Sequence, residues 1–116
     1  MNHSVKNFKY VNYLWEESRA EALGDDQVEL FLYRSNILGA DLRITNYGGG
    51  NTSCKTVEKD PLTNEEVEVM WIKGSGGDIG TLNKAGIAGL YTERLRNLKN
   101  VYGGLADEDR MVGLFN

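Results

Sequence analysis

Asn51 and Ser75 are short polar residues that each sit against a run of glycines. The first run reads Asn46-Tyr47-Gly48-Gly49-Gly50-Asn51-Thr52-Ser53 and the second Gly74-Ser75-Gly76-Gly77-Asp78-Ile79-Gly80. Such runs cost backbone entropy to order, so helix or sheet stability does not account for them. They suit a chain that must turn sharply or approach another group closely. Backbone N–H groups in a turn of this kind converge on an anion. The Asn51 amide and the Ser75 hydroxyl would add donors, which makes Gly48 to Ser53 plus Gly74 to Gly76 a candidate phosphate cradle. Two purely structural hairpin loops are the alternative, and composition leaves both open.

Other chemistries fit less well. Gly49 to Thr56 approaches the P-loop pattern GxxxxGK[ST], but Cys54 stands where the second glycine belongs and Lys55-Thr56-Val57 continues an alternating strand. The second run contains GxG with its third glycine one place late for a dinucleotide fingerprint. Glu58, Asp60, Glu65, Glu66 and Glu68 flank a turn and read as solvated charges more readily than as a general acid or base. Asp78 reads as a helix N-cap, Cys54 as a small strand residue, and Trp15 and Trp71 as core residues. One histidine, His3, and one cysteine do not make the three-ligand set that a catalytic zinc needs.

The 116 residues suit one domain. Fourteen glycines exceed the usual ~7%, and the two runs hold seven of them. A net charge of −4 argues against a nucleic-acid partner. No apolar run approaches the ~18 residues of a membrane span, the N-terminus lacks the apolar core of a signal peptide, and a single cysteine fits a reducing cytoplasm.

The loops need elements to hold them. Phe8, Val11, Leu14, Trp15, Ser18 and Ala22 predict a helix over 8–22 that stops at Gly24. Asp25 or Asp26 caps a second helix that ends at Gly39; along it Leu32, Tyr33 and Asn36 lie near one another and pack on a sheet. Leu42 to Thr45, Thr52 to Glu58 and Val67 to Lys73 alternate as strands, with Asp60-Pro61-Leu62-Thr63-Asn64 as a turn. The expectation is an antiparallel meander: strand, glycine loop, strand, turn, strand. Beyond it come a helical turn over 81–84 and a short strand over 86–91. Then follow a helix over 92–98 with Thr92 as N-cap and a final helix from Asp107.

Leu42 to Ser53 followed by Met70 to Leu82 resembles the class II aldolase/adducin family, and more narrowly the start of the bifunctional rhamnulose-1-phosphate aldolase/short-chain dehydrogenase proteins. The resemblance runs from about Leu30 to the C-terminus. It implies an α/β class: an α/β/α layered domain around a largely antiparallel sheet. It implies cleavage of rhamnulose 1-phosphate to dihydroxyacetone phosphate and lactaldehyde, with zinc stabilising the enediolate. By motif match, Gly50 and Asn51 correspond to the family's Gly-Asn phosphate loop, and Ser75 and Gly76 to its second phosphate loop. The family's zinc-binding histidines and dehydrogenase domain would follow Asn116. Residues 1–116 are therefore expected to be the N-terminal, incomplete portion of such a domain, holding half a phosphate site, no metal ligands and little activity alone. The implied partners are a small phosphorylated sugar or dihydroxyacetone phosphate and, as in aldolase relatives, further copies of the chain. The alternatives are a non-catalytic, adducin-like interaction module and, more weakly, a nucleotide-binding domain.

Overall fold

Asp26 starts the helix on which the structure is assembled, a computed structural model that describes residues 13–46 and 48–114. Its carboxylate accepts the Glu29 N–H at 3.0 Å, satisfying one of the free donors of the first turn. This helix, α2 (Gln27–Ala40), follows a shorter α1 (Glu17–Leu23) that closes on Gly24 at φ 61°. Three strands follow: β1 (Ser53–Lys59), β2 (Glu66–Lys73) and β3 (Ile87–Tyr91). They form one antiparallel sheet in the order β1-β2-β3. The chain then turns into α3 (Thr92–Asn97) and α4 (Glu108–Met111).

Helix α2 lies on one face of the sheet. Phe31 and Leu32 bury against Leu82, with Val28, Cys54, Trp71 and Ile87 packed round them. Cys54 and Trp71 are cross-strand partners, so they share that face. Trp71 is half-buried on the core and donates its indole N–H to the Thr56 hydroxyl at 2.8 Å. Trp15, expected in the core, instead stacks at its margin on Tyr33, with ring centroids 5.0 Å apart.

Several expectations change. Helix α1 begins at Glu17, and residues 13–16 are not helical, with the Glu16 N–H donated to the Tyr33 hydroxyl at 2.9 Å. Phe8 and Val11 lie outside the described residues. Leu42 to Thr45 is a turn rather than a strand. The Asp41 carboxylate accepts the Arg43 N–H at 3.0 Å, and the Asp41 carbonyl accepts those of Ile44 and Thr45 at 2.9 and 3.2 Å. That local alternative to a ladder leaves Leu42 and Ile44 about half exposed. The meander therefore runs from Ser53 to Tyr91. Its first turn is as expected: Asp60 accepts the Leu62 N–H at 2.8 Å and Asn64 takes φ 58°. The final helix is a single turn between 3₁₀ segments Leu105–Asp107 and Val112–Leu114, because only Met111 on it is buried and a lone turn has little else to hold it.

Thr92 is the first residue of α3 and not its cap; Tyr91 holds that position. The Thr92 side chain is buried, and its hydroxyl has no hydrogen-bond partner among the described residues. An orphaned buried hydroxyl costs on the order of 1–3 kcal/mol. Thr92→Val keeps the shape and removes the hydroxyl, so it should stabilise the fold by about 1 kcal/mol, read as a higher urea midpoint with an unchanged slope. A lower midpoint would mean that the hydroxyl finds a partner in solution.

Candidate functional site

Register brings the two glycine loops to one rim. Ser53 pairs with Ile72 and Lys73 with Ile87. The start of β1, the end of β2 and the start of β3 therefore lie side by side. The first loop enters the sheet there and the second leaves it. The Lys73 N–H donates to the Thr52 carbonyl at 3.1 Å, and the Gly74 N–H to the Gly86 carbonyl at 2.8 Å.

The loops also touch beyond the strands. The Ile79 N–H donates to the Gly49 carbonyl at 3.2 Å. Gly50 stands at φ 93°, and a Cβ there would lie 2.1 Å from Ile79 Cγ2. Only glycine meets both demands. Asp78 has the capping role read from the sequence: its carboxylate accepts the Gly80 N–H at 2.9 Å and starts the 3₁₀ turn Ile79–Thr81.

Helix α2 fixes this rim from below through residues that the sequence did not mark as functional. The Asn36 amide donates to the Ile79 and Leu82 carbonyls at 3.1 and 3.0 Å, so both its hydrogens are used. The fully buried Ser35 hydroxyl donates to the Phe31 carbonyl at 2.8 Å. Having one hydrogen, it must accept from Thr52 Oγ1, 2.9 Å away. The signal was two adjacent polar residues on a helix otherwise rich in apolar ones, with Asn36 read only as packing.

Of the four matched residues, Gly50, Asn51, Ser75 and Gly76 are all exposed, and Gly76 takes φ 90°. None makes a hydrogen bond to another described residue. Their donors are thus available to a ligand, in the manner of a backbone nest. A concavity of about 500 Å³ lies on the second loop, lined by Gly74 to Gly77, Leu82 and Ala85 to Ala88; Gly50 and Asn51 do not line it. A larger one of about 780 Å³ lies between α1, α2 and the Lys84–Gly86 turn, lined by residues including Arg19, Tyr33 and Lys84 and by neither glycine loop. Size therefore does not select the rim; free donors do.

The other candidates separate from it. Lys55 and Thr56 lie within β1, so the P-loop context of a helix start is absent there. The second loop follows an antiparallel hairpin, and not the βαβ unit of a dinucleotide site. Glu58, Glu66 and Glu68 occupy the far half of the hairpin, with Asp60 and Glu65 at its turn. Glu58 accepts the Thr56 hydroxyl at 2.8 Å, and Glu68 pairs with Arg96 at 3.3 Å. Cys54 is half-buried; burial pushes its thiol pKa up, with Arg34 opposing. It is no activated thiolate. Among the described residues no group of three or more His, Cys, Asp or Glu side chains could hold a metal ion. The described residues thus do not fit the zinc that the resemblance implies, and His3 lies outside them. No helix among them is long and apolar enough to cross a membrane.

No protein-family model matches the chain. A solved structure, the N-terminal class II aldolase domain of a conserved protein from Thermoplasma acidophilum, superimposes with a TM-score of 0.56 at 33% identity, covering 65% of this chain and 35% of that one. The fold is that of a class II aldolase domain. A curated relative, the uncharacterized oxidoreductase YuxG of Bacillus subtilis (strain 168), is 46% identical over 88 residues, or 76% of this chain. The chain spans 12% of that relative's length. The class II aldolase fold agrees with the layered α/β class read from the two glycine motifs, with its sheet antiparallel throughout.

Proposed function

We propose that the glycine rim holds the phosphate of a small phosphorylated sugar for class II aldolase chemistry, the cleavage of a ketose 1-phosphate to dihydroxyacetone phosphate and an aldehyde. The finer reading is rhamnulose 1-phosphate, giving lactaldehyde. What supports it is the set of unused donors on Gly50, Asn51, Ser75 and Gly76, carried on two loops that one sheet rim and the Gly50–Ile79 contact hold together in a class II aldolase-type fold. In this reading the described residues bind and orient the phosphate. The Asn51 amide and Ser75 hydroxyl donate to its oxygens, and Asp78, turned to its own Gly80 N–H, stays out of the anion's way. The zinc and the acid/base group belong to residues other than those described. The oxidoreductase name of the YuxG relative is in keeping with a dehydrogenase part in a bifunctional whole.

Calorimetric titration with dihydroxyacetone phosphate tests this. Asn51→Ala and Ser75→Ala should each weaken binding by roughly tenfold, the loss of one hydrogen bond to a charged group. Stability should not change, because both side chains are exposed and make no hydrogen bond to another described residue. Native affinity in both variants would refute the rim and favour an adducin-like module without a phosphate site.

A further inference from the structure

We infer that the groove between α1 and α2 is a second binding site, which takes a small carboxylic acid with an apolar body. The inference does not rest on the phosphate reading, since neither glycine loop lines this groove. What carries it is a guanidinium without an anion beside an apolar lining of ligand size.

Contacts along α2 set the shape of the groove. Asn36 donates to the Leu82 carbonyl at 3.0 Å, and Glu29, earlier on the same helix, pairs with Lys84 at 3.1 Å. Glu29 and Asn36 are separated by about 10 Å of helix at ~1.5 Å per residue. The Leu82 to Lys84 segment therefore runs beside α2 and makes one wall. Helix α1 makes the other. Tyr33 tethers it, because the tyrosine hydroxyl accepts the Glu16 N–H at 2.9 Å and the ring stacks on Trp15. Leu23, Leu32 and Leu82 supply apolar lining between the walls. The volume of about 780 Å³ falls within the ~300–1,000 Å³ of small-molecule sites.

The polar groups on the lining select the ligand. Lys84 is neutralised by Glu29, with Asp26 adding a second negative charge nearby. Asn36 spends both amide hydrogens on the Ile79 and Leu82 carbonyls, so it has no donor left. Arg19 differs. Its guanidinium lies 5.3 Å from the centre of the Tyr33 ring and makes no ion pair or hydrogen bond with another described residue. Attraction to the ring holds the cation in place without consuming an N–H donor. The guanidinium fork then matches the two oxygens of a carboxylate. One uncommitted cation, with Glu29 also on the lining and a net charge of −4 on the chain, suits a monoanion better than a dianionic phosphate ester. The leucines suit a carbon body without hydroxyls.

The test is calorimetric titration of the native chain with phenylbutyrate and, as its uncharged counterpart, phenylbutyramide. The acid should bind saturably and about tenfold more tightly than the amide, the contribution of hydrogen bonding to a charged group. Arg19→Gln should bring the acid down to the affinity of the amide, and Arg19→Lys should keep part of the preference. Ala22→Phe places a ring in the groove from an exposed helix position and should block both ligands. Dihydroxyacetone phosphate should not compete with the acid. Four results overturn the inference: no saturable binding of the acid, equal affinity for acid and amide, an undiminished acid preference in Arg19→Gln, or native binding in Ala22→Phe. Competition between the acid and dihydroxyacetone phosphate overturns it too, because the acid would then sit on the glycine rim. Should Arg19→Gln fail to fold, the acid–amide comparison on the native chain and the Ala22→Phe titration still decide.

Discussion

Gly39→Ala should destabilise the protein by about 2 kcal/mol, although it is a glycine-to-alanine change inside a helix. Propensity alone predicts a gain of ~1 kcal/mol. Gly39 is buried near the C-terminal end of α2, however, and a Cβ there would lie 2.2 Å from the Gly80 amide nitrogen. The obstacle is backbone, which cannot rotate aside. The helix must retreat from the turn after the second loop, or the turn must move and strain the Asn36 bonds to Ile79 and Leu82. Overpacking of this kind costs up to ~3 kcal/mol, which exceeds the propensity gain. A fall of roughly 8 °C in the thermal midpoint would follow. Gly80→Ala offers a graded comparison. Its Cβ would meet the Gly39 carbonyl oxygen at 3.0 Å, a tight contact that a small shift relieves, so its loss should be smaller. A stabilised Gly39→Ala would show that α2 and the second loop are not in contact.

Gly50→Ala should have the largest effect on the rim. It combines a left-handed backbone at φ 93° with a clash against Ile79 Cγ2 at 2.1 Å. Ile79 is 3% exposed and has no room to swing away. A non-glycine residue held in such a conformation costs on the order of 1–3 kcal/mol before any clash is counted. The first loop should therefore lift off the second, breaking the 3.2 Å bond from Ile79 to Gly49. The expected result is a loss of about 3 kcal/mol in urea unfolding. With it should come a fall of tenfold or more in affinity for dihydroxyacetone phosphate. Asn51→Ala should lower affinity alone, and that contrast separates loop placement from direct contact. Native binding by a destabilised Gly50→Ala would mean that the loops need not meet.

Features governed by neighbouring residues were legible in the sequence. Asp26, Gly24, the Asp60–Asn64 turn, the β2 run and the Asp78 cap each follow from local donors, acceptors and φ preferences. Features decided between competing local signals, or at a distance, were not. Leu42 to Thr45 alternates like a strand, but alternation does not reveal that Asp41 will close a turn there. Gly39 reads as a helix stop and serves instead as a contact point for Gly80, 41 residues away, while α2 runs on to Ala40. Thr92 has the composition of a cap but lies one residue inside its helix. At the rim, the glycine runs and their polar neighbours were visible as candidates. That Ile79 is the residue which requires Gly50, and that Ser35 and Asn36 hold both loops from α2, depends on packing between segments far apart in the chain.

The most direct measurement of the central claim is an amide NMR spectrum of the 116-residue chain recorded with and without dihydroxyacetone phosphate. The account predicts dispersed signals and ligand-induced shifts concentrated at residues 48–53 and 73–77, with the far hairpin turn at 60–65 unmoved. A dispersed spectrum in which those loop signals ignore the ligand would contradict it.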